Sequence, residues 1–185
     1  MKKTLLLIAS ILLIVYAISQ AVGPVHKYIG AVKCKLCHTS DKSGKAYPIW
    51  QKTKHAAAYT TLASPEALEV GKKLGIETPQ NSEKCLVCHI TAFSVEKDAK
   101  DSTLTLAEGI SCEACHGPGS DYKAMAIMKD KQKAIAAGLI IPNEKTCVTC
   151  HNEKSPTYKP FKYAEMFKLI AHPLPKETAP IEKKG

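Results

Sequence analysis

Four copies of one five-residue pattern constrain this chain more than any other feature. They are Cys34-Lys35-Leu36-Cys37-His38, Cys85-Leu86-Val87-Cys88-His89, Cys112-Glu113-Ala114-Cys115-His116 and Cys147-Val148-Thr149-Cys150-His151. Together they use all 8 cysteines and four of the 7 histidines. Cys-x-x-Cys-His is the attachment signature of c-type haem. The two thiols form thioether bonds to the haem vinyl groups, and the adjacent histidine ligates the iron from the same side. Cys-x-x-Cys pairs also build zinc ribbons, disulfides and thioredoxin-like redox pairs. Zinc pairs do not require a histidine after every pair, and a disulfide framework requires none. Four motifs with no cysteine left over therefore point to four covalently bound haem c groups, with His38, His89, His116 and His151 as proximal ligands.

Each iron takes a second axial ligand or is left open. The histidines outside the motifs are His26, His55 and His172, so three distal candidates must serve four haems. His55 falls on a helix predicted over 48–62, at helical spacing from Trp50, Tyr59 and Leu62. Ala56, Ala57 and Ala58 follow it, and small side chains let a backbone approach a flat porphyrin. His172 ends a second predicted helix just before Pro173, and His26 lies near the start of the mature chain. Met125, Met128 and Met166 rank below these, because a methionine on a helix is more often core filler than a sulfur ligand. Bis-histidine haem suits electron transfer, whereas an open iron binds small ligands. The count predicts three electron-transfer haems and leaves the kind of the fourth open.

The N-terminus fits export. Met1-Lys2-Lys3 precedes a short apolar run from Thr4 to about Ile18, and Ser19-Gln20-Ala21 offers a small-x-small cleavage site. Residues 1–21 read as a signal peptide; an uncleaved membrane anchor is the alternative, disfavoured because the run is short for a span of about 20 residues. Export is what the haem reading requires, since c-type haem is attached outside the cytoplasm. The expected location is the periplasm, with the cell surface or exterior as further destinations. All 26 basic residues are lysines. The formal charge of +9 falls to about +7 without the leader, and four haems, each with two propionates and a core that is positive only when ferric, bring it to about +3 ferric and about −1 ferrous. That balance, with export, disfavours nucleic acid as a partner. Lysine clusters at Lys27, Lys33, Lys35 and at Lys129, Lys131, Lys133 read first as solvated surface, and second as steering for an acidic redox partner.

Residues 22–175 read as one domain and 176–185 as a disordered charged tail. The expected fold is mainly α with extensive loops, with four haems forming much of the core. Ser64-Pro65-Glu66 predicts a capped helix ending near Gly75. A short hairpin is expected within 90–106, a lysine-rich helix over 121–137, and a last helix over 163–172 stopped by Pro173 and Pro175. Gly117-Pro118-Gly119 stops the helix of the third motif. Motif starts lie 51, 27 and 35 residues apart, too irregular for a solenoid.

Tyr28-Ile29-Gly30, Trp50-Gln51-Lys52-Thr53-Lys54-His55-Ala56, the run from Gly109 through the third motif to Gly119, and Phe161-Lys162-Tyr163-Ala164-Glu165-Met166 leading to His172 give the chain a further character. With these it resembles the cytochrome c-554 family of multihaem cytochromes. The resemblance implies a helical tetrahaem fold with closely packed haem pairs, and periplasmic electron carriage between redox partner proteins. It implies that His55 and His172 are distal ligands; in the nitrifier member the haem of the second motif lacks one, and which haem lacks one here stays open. In the nitrifier member a further distal histidine follows the third motif; here Ser120-Asp121-Tyr122-Lys123-Ala124-Met125 stands instead, and His26 is present upstream. Electron carriage is the leading reading, and no catalytic residue is assigned. The alternatives are a haem enzyme reducing nitric oxide or a related nitrogen oxide at the haem of Cys85, Cys88 and His89, and a subunit of an extracellular conducting filament in which His26 ligates a neighbour's haem.

Overall fold

The computed structural model describes residues 26–174. The leader read at 1–21 and the tail read at 176–185 lie outside the described residues. Among the described residues, ten short α-helices are joined by loops and 3₁₀ turns: α1 (Ala31–Lys35), α2 (Ala46–Trp50), α3 (Ala58–Thr61), α4 (Pro65–Lys73), α5 (Glu83–His89), α6 (Cys112–His116), α7 (Met125–Met128), α8 (Lys131–Ala136), α9 (Glu144–Val148) and α10 (Tyr163–Phe167). Among the described residues there is no strand; the nearest approach is an isolated parallel bridge between Tyr28 and Lys100. The mainly α, loop-rich class expected from the sequence is what the chain adopts. No described helix is long and apolar enough to cross a membrane.

The haem motifs shape the helices. In each, a helical turn places the histidine one turn above the first cysteine, because a helix repeats every 3.6 residues. The N–H of His38 donates to the Cys34 carbonyl at 3.0 Å, and that of His151 to the Cys147 carbonyl at 3.0 Å. Motifs two and three lie wholly inside α5 and α6. As expected, α6 stops at Gly117, whose φ is +76°.

The capped helix at 65–73 also forms as read. Ser64 accepts a hydrogen bond from the Ala67 N–H at 3.2 Å, and Pro65 occupies the first turn. Other expectations are corrected. The helix expected over 48–62 is broken between α2 and α3, and His55 lies in the turn between them. Its carbonyl accepts from the Ile110 N–H at 3.0 Å and from the Ala58 N–H at 3.1 Å, so it closes a turn and docks another loop instead of continuing a helix. The helix expected over 121–137 is split into α7 and α8, because the Asp130 side chain caps α8 through the Gln132 and Lys133 N–H groups. The hairpin expected within 90–106 is absent; turns and a 3₁₀ segment, Lys97–Ala99, occupy the stretch. The last helix ends at Phe167, and His172 lies beyond it in irregular chain.

Little of the core is made by polypeptide alone. Leu62, Leu86 and Ile90 form one buried cluster, with Tyr59, Cys85 and Phe93 packed against it. Ile29, Ala31, Tyr122 and Ala134 are buried elsewhere. Leu36, inside the first motif, is 81% exposed, and Val87 and Val148, inside the second and fourth, are also exposed. Apolar surface placed beside every attachment point but the third suits coverage by a flat apolar ring system.

Gly30 holds the approach to α1 in a backbone conformation nearly exclusive to glycine, φ 76° and ψ 150°. A Cβ there would lie 2.5 Å from the Thr103 carbonyl oxygen. Gly30→Ala is therefore expected to destabilise the purified protein by about 2–3 kcal/mol, seen as a lowered thermal midpoint. An unchanged midpoint would contradict this account of the approach to the first motif.

Candidate haem-binding site

The third motif is the hub on which the others are assembled. Glu113, one of its two spacer residues, is only 1% exposed. Its carboxylate accepts from the N–H groups of Ile29 (2.9 Å to Oε1, 3.0 Å to Oε2), Gly30 (2.7 Å) and Gly119 (2.7 Å). Burial pushes this carboxyl upward, and the three backbone donors pull it back towards the charged form. Glu108 adds a second carboxylate on the same segment, accepting from the Ala31 N–H at 2.6 Å at the start of α1. Two acidic side chains near the third motif thus fix the helix that begins the first.

The strand of loop before α6 makes the remaining ties. Trp50 Nε1–H donates to the Ile110 carbonyl at 2.8 Å, and Ile110 N–H to the His55 carbonyl. Gly109 passes so close that a Cβ would sit 2.7 Å from the His55 oxygen. Thr91, just after the second motif, donates through its N–H and hydroxyl to the Gly109 carbonyl, and its hydroxyl oxygen accepts from the Ser111 N–H at 2.7 Å.

The sulfurs then fall into a connected series. The Cys34 and Cys112 thiols are neighbours, which lowers Cys34 and, with burial, raises Cys112. Burial pushes Cys115 up to about 11, with Cys147 and Cys150 adding to the shift. Burial likewise pushes Cys88 up to about 11, reinforced by Cys150. Neighbouring motifs are therefore first with third, third with fourth, and fourth with second. No disulfide joins them, and among the described residues no group of three or more His, Cys, Asp or Glu side chains converges as a metal cage.

Histidines come together in pairs. The rings of His55 and His151 have centroids 5.9 Å apart, and those of His116 and His172 are 6.0 Å apart. Two imidazole nitrogens bonded to one metal at about 2 Å each put their ring centroids about 6 Å apart. Each pair joins a motif histidine to one of the extra histidines. The spacing and donor set fit axial ligation of an iron between the rings. Burial holds His38, His55, His116 and His151 below the ordinary imidazole range, which favours the neutral form that ligates metals. His89 Nδ1–H donates to the Ala58 carbonyl at 2.8 Å, and His116 Nδ1–H to the Ile140 carbonyl at 3.0 Å. Both bonds leave Nε2 as the free donor, as in metal-ligating histidines generally. Phe161 stacks on His151, centroids 4.8 Å apart.

His26 makes no such pair. Its Nδ1 is 2.8 Å from Asp121 Oδ2. Among the described residues, His38 and His89 also have no second histidine ring at pair distance. Met125, at the start of α7, is 63% exposed, and Met166 on α10 is exposed as well. Glu113, Glu108 and Asp121 were not singled out from the sequence. The only hint for Glu113 is a carboxylate between two attachment cysteines, next to a Gly-Pro-Gly run that lets backbone N–H groups close on it.

Residues 33–117 match the family model for cytochrome c554 and c-prime. Over that stretch, a little under half of its length, the chain is similar to the cytochrome c-554 family. It is 25% identical over 108 residues to cytochrome c-554 of Nitrosomonas europaea, covering 56% of this chain and 44% of that one. It is 27% identical over 113 residues to the multiheme cytochrome MtrA of Shewanella baltica, covering 54% of this chain and 33% of that one. The match thus spans less than half the length of both relatives. The structure of reduced cytochrome c554 from N. europaea superimposes with a TM-score of 0.52 at 23% identity, covering 78% of each chain, and shares the fold. Covalently bound haem c is the cofactor that this similarity supports.

Replacing Glu113 with alanine leaves three buried N–H groups without their acceptor. Glu113→Ala is expected to cost about 3 kcal/mol or more and to lower the yield of fully haem-loaded protein. The exposed control Glu153→Ala is expected to do neither. Equal thermal midpoints for the two variants would contradict the hub role.

Proposed function

We propose that this chain is an exported tetrahaem electron-transfer cytochrome, working in the periplasm between a donor and an acceptor protein. The observation that carries the proposal is the pairing of extra histidines with motif histidines at the separation a shared metal requires. Haem, when bound, supplies an iron that exchanges one electron between its ferric and ferrous forms. Cys34, Cys37, Cys85, Cys88, Cys112, Cys115, Cys147 and Cys150 hold it covalently, and His38, His89, His116 and His151 ligate from the motif side. His55 completes the fourth centre and His172 the third.

The polypeptide acts by placement. The cysteine neighbours support an ordering of the centres as first, third, fourth, second, so that electrons enter and leave at the first and second motifs. Glu108 and Glu113 fix the first link by hydrogen bonding. Phe161 restricts His151 in the fourth centre. Each histidine whose Nδ1–H is held by a carbonyl keeps its Nε2 aimed without the chain having to reorganise during transfer.

His55→Ala and His172→Ala should each create one new carbon monoxide-binding haem per chain in the reduced protein, without loss of haem. Unchanged carbon monoxide stoichiometry in both variants would overturn the ligand pairs. A second reading is favoured by one observation: His89 is oriented by Ala58 but has no imidazole opposite it among the described residues. The second centre would then bind small molecules, nitric oxide among them. Reduced protein should consume nitric oxide catalytically if this centre is an enzyme, and bind it stoichiometrically without turnover if the protein is a carrier alone.

A further inference from the structure

We propose that His26 and Asp121 work as a unit, with Asp121 fixing the His26 ring so that Nε2 is the second axial ligand to the haem of Cys34, Cys37 and His38 in the same chain. This rests on the tetrahaem reading above.

His26 Nδ1–H donates to Asp121 Oδ2 at 2.8 Å, and both side chains are about two-thirds covered. Asp121 is itself held in place. Ser120 Oγ–H donates to Asp121 Oδ1 at 2.5 Å, Lys27 N–H donates to Ser120 Oγ at 2.9 Å, and Ser120 N–H returns a bond to the Lys27 carbonyl at 3.1 Å. Residues 26–27 are thereby clasped to 120–121. The ring also lies against Gly138, where a Cβ would come within 3.7 Å of it. An isolated, partly exposed ion pair contributes only about 0–1 kcal/mol, so stability alone gives little reason to hold this ring with a carboxylate that is itself fixed by Ser120. An imidazole whose Nδ1–H is bound by a carboxylate is instead the arrangement that orients a metal ligand and strengthens it as a donor.

Location selects the iron. The clasp sits between the segment leading into the first motif and the segment leaving the third, the two segments joined by Glu113. In this half of the molecule His116 already has His172, which leaves the iron of His38. The other unpaired motif histidine, His89, is bound to Ala58, and its cysteine neighbour Cys88 lies by Cys150, in the other half.

The test is quantitative electron paramagnetic resonance with a redox titration of the purified, haem-loaded protein. His26→Ala should convert one low-spin haem to high-spin while haem content stays at that of the wild type. Asp121→Asn should keep that haem low-spin but raise its midpoint potential and leave the other haems unmoved, a change that loss of a merely structural contact would not give. An unaltered low-spin count in His26→Ala overturns the proposal. So does a wild-type low-spin count that falls on dilution to monomers, which would assign the ligand to a second copy of the chain. If His26→Ala does not mature, Asp121→Asn decides, and identical potentials for every haem overturn it. A wild-type protein with fewer than four haems defeats the tetrahaem reading itself and is distinguished by haem content.

Discussion

Glu113 belongs to the third attachment motif by sequence and to the first by contact. Its buried carboxylate binds the backbone of Ile29 and Gly30 on one side and of Gly119 on the other. Backbone donors of this kind must be satisfied once they leave water, and a carboxylate has the lone pairs to satisfy three at once. One side chain therefore sets where the first motif stands relative to the third. The neighbouring loop, from Glu108 to Ser111, does the same for His55, Trp50 and Thr91 by backbone contacts. The cluster of short helices is positioned less by helix packing than by polar ties to this one stretch of chain.

That design would suit a protein in which a bound cofactor supplied much of the apolar interior. The polypeptide buries one small aliphatic cluster and leaves Leu36, Val87 and Val148 exposed within three of the motifs. Polar ties are directional, so they can hold loops apart at fixed distances where a conventional core would draw them together. Electron transfer depends on such distances and on axial ligands that move little. The ring pairs His55 with His151 and His116 with His172 are held at metal-bridging separation by segments that the third-motif loop and Phe161 restrain.

The motifs were legible because haem attachment needs contiguous residues. His55 and His172 could be singled out as distal candidates by elimination, since few histidines lie outside the motifs, and the structure sets each beside a motif histidine. Which motif each would meet was not legible: that depends on contacts between segments far apart in sequence. Helix extents were overread for a related reason. The run 48–62 has helical periodicity, yet the His55 carbonyl is taken by Ile110 and the helix breaks there. The run 121–137 reads as one helix until Asp130 caps its second half. Glu113 and Asp121 gave no periodic or motif signal at all, because a buried carboxylate and a surface one have the same sequence appearance.

The most direct measurement is the intact mass of the purified mature chain under denaturing conditions. Thioether-bound haem survives unfolding, whereas zinc, disulfides and non-covalent haem leave no such mass. The account predicts the chain plus four haem groups, with no free thiol remaining. A chain carrying fewer haems, or one whose mass shows paired cysteines in disulfides, would contradict it.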